Sequence, residues 1–129
     1  MQHHDPKQGC RRLLDWNRQH LTASSSLDEA DIARVFAADF TVNANGRTYQ
    51  ANHSNYLEFL KGFRGDIRSI DYDVHRTVAE ASSVVVAMTA HVTRLDGRHD
   101  SFEAMLLLEF DPQGLLTLWH EVYVATTGA

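Results

Sequence analysis

The chain has 129 residues, 43% of them hydrophobic and 22% charged, with a formal net charge of -5. That balance suits one ordinary globular domain around one core and excludes disordered, collagen-like and disulfide-scaffold classes. The acidic balance lacks the positive field that nucleic acid or an anionic membrane surface would need, so neither is an expected partner.

Cys10 is the only cysteine, so no internal disulfide forms. With no partner in the sequence it reads as a bystander thiol, and the cysteine usage fits a reducing compartment. Met1 to Pro6 carries no apolar run, so no signal peptide is expected. No stretch approaches the roughly 18 apolar residues of a membrane span. A cytoplasmic location is the expectation.

In chain order, a helix is predicted over about Lys7–Leu21, with Pro6 near its start and Leu13, Trp16, Asn17, His20 and Leu21 on overlapping faces. Thr22-Ala23-Ser24-Ser25-Ser26 reads as a loop. Ser26 with Glu29 three residues later predicts a capping box opening a second helix, whose buried stripe is Ile32, Val35 and Phe36. Asp39–Asn43 predicts a short strand, Asn45-Gly46 a turn, and Arg47–Gln50 a returning strand. Tyr56, Phe59, Leu60 and Phe63 follow the spacing of one buried helical face over about Ser54–Phe63. From Ile67 onward the chain reads as antiparallel strands: Ile67–Thr77, Val84–Leu95, Phe102–Phe110 and Leu115–Ala125. Asp96-Gly97 and Asp111-Pro112-Gln113-Gly114 mark turns between them. The middle strands are apolar on both faces, which predicts a homodimer paired through the outer face of the sheet.

The segment Val35-Phe36-Ala37-Ala38-Asp39-Phe40-Thr41-Val42 closes a helix and opens a strand. Leu107 to Glu121 forms a last hairpin around Asp111-Pro112-Gln113-Gly114. Both resemble the nuclear transport factor 2-like superfamily, which includes SnoaL-like cyclases and ketosteroid isomerases. The resemblance implies an α+β cone: N-terminal helices in the concave face of a strongly curved, mostly antiparallel sheet. It carries fold more than activity. Matching the isomerases' two aspartates lands on Ala44 and Leu106, and their tyrosine on Trp16, so that mechanism is not expected. Matching the aspartate of SnoaL-type cyclases, four residues after a tryptophan, lands on Tyr123 after Trp119.

The matched turns set a register in which Trp119, Glu121 and Tyr123 point into the cone. Phe102, Ala104, Leu106 and Leu108 do the same, as do Ala87, Thr89, His91 and Thr93; a one-residue slip reverses each set. The expected site is then catalytic His91, Glu121 and Tyr123. Around them Trp16, His20, Phe59, Phe63, Thr89, Leu106 and Trp119 would contact a small, partly apolar ligand. His91 and Glu121 meet as a general acid–base couple, with Tyr123 donating to a carbonyl or enolate oxygen, or they form a structural hydrogen-bonded pair, or one of them faces solvent. The eight histidines show no metal-ligand spacing, so neither metal nor cofactor is expected. Two functions fit: a cofactor-free isomerase, cyclase or dehydratase, or a non-enzymatic module that binds a ligand or dimerises.

Overall fold

The computed structural model describes residues 5–126. Helix α1, Pro6–His20, starts where the Asp5 carboxylate accepts the Lys7 backbone N–H at 2.9 Å, with Pro6 at a position that needs no donor. Its buried stripe includes Leu13, Leu14, Trp16 and Asn17 and lies across β3, β4 and β5, whose ranges are given below.

Helix α2 is a single turn, Glu29–Ala33, shorter than expected. Its capping box is made by Asp28 and Asp31, not by Ser26 and Glu29. The Asp28 carboxylate accepts the Asp31 N–H and the Asp31 carboxylate accepts the Asp28 N–H. The carbonyl of Ser26 instead faces His20 Nδ1 at 3.1 Å. A carboxylate also complements the positive end of the helix better than a hydroxyl does. Val35 and Phe36 therefore fall outside the helix, and Phe36 begins a strand.

That strand is β1, Phe36–Ala44, followed by β2, Arg47–Asn52. The two-residue turn between them holds Asn45 at φ 50° and Gly46 at φ 87°, the left-handed pair that lets a tight hairpin follow the strand twist. Helix α3, His53–Phe63, is opened by an Asn52–Asn55 capping box and closes into a 3-10 turn, Arg64–Asp66. Long strands β3 (Ile67–Glu80), β4 (Ser83–Arg94), β5 (His99–Phe110) and β6 (Leu116–Ala125) complete the chain.

The six strands form one sheet in the order β2-β1-β6-β5-β4-β3, antiparallel at every pairing except the parallel β1–β6. Breaks in register between Phe36 and Thr41, between Val74 and Arg76, and between Glu109 and Phe110 bend it around the helices. The α+β cone expected from the sequence is the fold observed.

The concave face carries the core: Val84, Val86 and Met88 of β4 and Leu106 and Leu108 of β5 meet Leu13, Leu14, Ile32, Phe36 and Leu60. Arg64 secures the helices, its Nη1 lying 3.0, 3.2 and 2.6 Å from the carbonyls of His20, Thr22 and Ser25. No described helix is long and apolar enough to cross a membrane.

Candidate functional site

Register decides which side chains the cone receives. β4 and β5 pair Thr93 with His99, His91 with Ser101 and Ala90 with Phe102. Directly paired residues share a face, so an inward Phe102 requires an inward Ala90 and sends Thr89 and His91 outward. The expected β4 set is therefore off by one residue. The inward residues are Val84, Val86, Met88, Ala90 and Val92, all buried. The error arose at the Asp96-Gly97 turn, because dipeptide chemistry identifies a hairpin but not the length of its loop.

His91 and Thr89 consequently belong to the convex face. His91 Nε2 lies 2.9 Å from Asp73 Oδ2, and its ring stacks on His99 with centroids 5.8 Å apart. The Thr89 hydroxyl donates to Glu103 and lies 2.7 Å from His75 Nε2. His91 and Glu121 thus stand on opposite faces of the sheet, and the acid–base couple they were expected to form does not exist.

Three other expected ligand contacts lie in the core. The Trp16 indole N–H donates to the Asp31 carbonyl at 3.0 Å, and its ring packs edge-on against Phe36 at 5.2 Å. His20 is buried beside Trp16 with centroids 4.8 Å apart. Leu106 is on the expected face but at 1% exposure is sealed within the core. An i, i+4 pattern places a residue on a helix face; it does not say whether core or cavity lies opposite.

The remaining expected residues do converge. A cavity of about 200 Å³ opens between α3 and the concave sheet, and Phe59, Phe63, Trp119, Glu121 and Tyr123 line it. Phe59 and Phe63 stack at 5.9 Å and are about half exposed, forming an aromatic lip. Tyr123 stands at the mouth with Phe102 edge-on to it at 5.8 Å. Ala44 also lines the cavity, so the position matched to the isomerase base is in the wall and holds a methyl group.

Among the described residues, Glu121 is the only acidic one in this lining. Its Oε1 accepts the Trp119 indole N–H at 3.2 Å, and among the described residues nothing donates to Oε2. Burial pushes the Glu121 carboxyl above the ordinary carboxylate range, and the indole hydrogen bond opposes this only in part. The other lining charge, Arg94, is already paired: its Nε donates to Asp100 at 2.8 Å and its Nη1 to Asp66 at 3.0 Å.

Sequence reading missed three polar groups of the wall. The Tyr72 phenol oxygen accepts the amide N–H of buried Asn17 at 3.1 Å, which leaves its own proton free to be donated. Tyr56, from α3, completes the set. Burial raises both phenols, and the nearby Glu121 carboxylate raises them further; for Tyr72 the Asn17 hydrogen bond works in the opposite direction. The junction of Tyr72 with Asn17 spans 55 positions and leaves no local signal. Cys10 is buried, and burial pushes its thiol up to about 11, so it is protonated at neutral pH. No three His, Cys, Asp or Glu residues among those described are grouped to hold a metal ion.

Comparison with known proteins agrees with this architecture. The SnoaL-like domain family matches residues 17–122. No curated protein sequence matches the chain. Among solved structures, a protein from Shewanella denitrificans OS-217 described as a SnoaL-like polyketide cyclase superposes with a TM-score of 0.75 at 14% identity, covering 92% of this chain and 90% of that one. An LEH-like epoxide hydrolase of M. tuberculosis superposes with a TM-score of 0.70 at 16% identity, covering 92% and 82%. An NTF2-like protein of unknown function from Burkholderia pseudomallei K96243 does so at 0.67 and 16%, covering 90% and 88%. These identities carry the fold and not the chemistry. From the match across residues 17–122 and the curved sheet closed over its helices, the chain belongs to the SnoaL-like domain family.

Proposed function

We propose that the cone binds a small, partly apolar molecule and that the Glu121 carboxyl exchanges a proton with it, in a cofactor-free isomerisation, cyclisation or dehydration. The observation that carries this reading is the setting of Glu121. It is a largely desolvated carboxyl in an aromatic cavity, with one oxygen held by Trp119 and the other open. Burial brings a carboxyl toward the pKa at which proton transfer near neutral pH is efficient. Tyr72, oriented by Asn17, supplies a hydrogen-bond donor for an oxygen that gains charge during reaction. Tyr123 and Phe59 guard the entrance.

Glu121→Gln tests the proposal because it keeps shape and removes proton transfer. For a ligand found by thermal-shift screening, turnover should fall at least about 100-fold, well beyond any loss of affinity. A variant that turns over ligand as fast as the parent would refute the role of Glu121. The absence of His91 from the cone favours a second reading, a non-enzymatic ligand-binding module. Binding without turnover in the parent protein would select it.

We also propose that two copies pair through the convex face. Val85, Met105, Val122 and Val124 present exposed apolar side chains there, with Val122 at 51% and Val124 at 62% exposure. Such a contiguous patch on neighbouring strands is the kind that self-association covers.

A further inference from the structure

The charge inventory of the cavity separates ligand classes that its shape alone does not. A carboxylate inside an apolar wall is normally matched by a cation. Glu121 has none: among the described residues its carboxylate makes no ion pair and accepts only the Trp119 N–H. The one lining arginine, Arg94, is shared between Asp66 and Asp100, so that cluster already carries more negative than positive charge. An anionic ligand entering here would meet an unpaired carboxylate and no free cation. A neutral ligand would leave that carboxylate unmatched.

The wall around Glu121 supplies the complementary element. Tyr56, Phe59, Phe63, Phe102, Trp119 and Tyr123 line the same cavity, and Phe59, Phe63 and Tyr123 keep exposed ring surface at its mouth. Aromatic faces attract a cation through the ring quadrupole and do so without the desolvation cost of a second carboxylate. Ring faces around one open carboxyl oxygen suit an ammonium group more than a carboxylate or phosphate.

We propose that the ligand of the cone is a small organic cation, an amine or quaternary ammonium on an apolar body, held between the Glu121 carboxylate and the aromatic wall. This rests on the reading of the cone as the ligand site. It adds the charge of the occupant. Glu121 is the counter-ion, the half-exposed rings of Phe59, Phe63 and Tyr123 supply aromatic surface, and the net negative Asp66–Arg94–Asp100 cluster disfavours anions.

The test uses three probes of similar size on the full chain: benzyltrimethylammonium, its uncharged carbon isostere neopentylbenzene, and benzoate. Binding is measured by ligand-observed NMR and calorimetry. The cation should bind at least about 30-fold more tightly than the isostere, a modest share of the attraction between a cation and a partly buried carboxylate. Benzoate should show no binding. Glu121→Gln, whose folding is checked by its melting temperature, should reduce the preference for the cation to about threefold or less. Phe59→Leu, at the half-exposed lip, should weaken the cation by about 3- to 10-fold and leave the isostere unchanged. Equal affinity for cation and isostere, or tighter binding of benzoate, overturns the charge assignment while the cone stands as a ligand site. No binding of any probe at millimolar concentration overturns both.

Discussion

Gly9→Ala sets helix propensity against packing. Gly9 lies inside α1 and donates its N–H to the Asp5 carbonyl at 3.0 Å, so on an exposed helix alanine would stabilise by about 1 kcal/mol. Here a Cβ at position 9 would stand 2.9 Å from Phe110 Cζ, 3.0 Å from Cε1 and 3.2 Å from Cε2. The ring cannot move aside freely, because Phe110 is itself 7% exposed and part of the core. Overpacking of this kind costs about 1–3 kcal/mol, so the sum is a net loss of about 0–2 kcal/mol. For a chain of this length 1 kcal/mol corresponds to a fall of about 3–5 °C in Tm. The assay is urea and thermal denaturation of Gly9→Ala, Phe110→Leu and the double variant. A smaller ring-free side chain at 110 should relieve the clash, giving a favourable coupling of about 1 kcal/mol. A rise in Tm for Gly9→Ala alone, or strict additivity of the two changes, would refute the argument.

Ala90→Phe and Thr89→Phe test the β4 register directly: the first should fill the cavity and weaken ligand binding at least about tenfold, the second should leave it unchanged, and the reverse result would restore the expected register. Glu121→Gln also carries a pH signature. The folded carboxyl pKa is raised by burial above its unfolded value, so the stability linked to protonated Glu121 is fully present below the unfolded pKa. It is lost as pH rises through the folded one. The Tm of Glu121→Gln relative to the parent should therefore be higher at pH 8 than at pH 4, and a difference independent of pH would refute it. Val122→Asp, on the convex face, should convert a dimer to a monomer in light scattering at unchanged helical content, and a monomeric parent protein would remove the pairing proposal.

Much of the architecture was legible because it depends on local periodicity and turn chemistry. The i, i+3, i+4, i+7 spacing of Tyr56, Phe59, Leu60 and Phe63 marks α3, and Asn45-Gly46 marks its hairpin whatever lies elsewhere in the chain. Strand alternation likewise identified Trp119, Glu121 and Tyr123 as one face of β6, and the cavity lies on that face. The capping box slipped by two residues because Asp28 and Asp31 offer the same reciprocal geometry with charge added.

The sequence by itself determined helices followed by an antiparallel sheet with an aromatic and acidic last strand, since those features follow from patterns a few residues long; the cone was implied by the family resemblance. Tertiary structure alone decided three others: that His91 and Thr89 turn outward, that Trp16 and His20 are core, and that Asn17 meets Tyr72 beside Glu121. A strand's side chains alternate with a period of two, so one residue in the length of the β4–β5 loop reverses every position of β4. The turn at Asp96-Gly97 combines a local bond, the Gly97 N–H to the Arg94 carbonyl at 3.0 Å, with one made across the fold, the Leu95 N–H to the Asp66 carbonyl at 2.9 Å, and dipeptide chemistry carries no trace of the second.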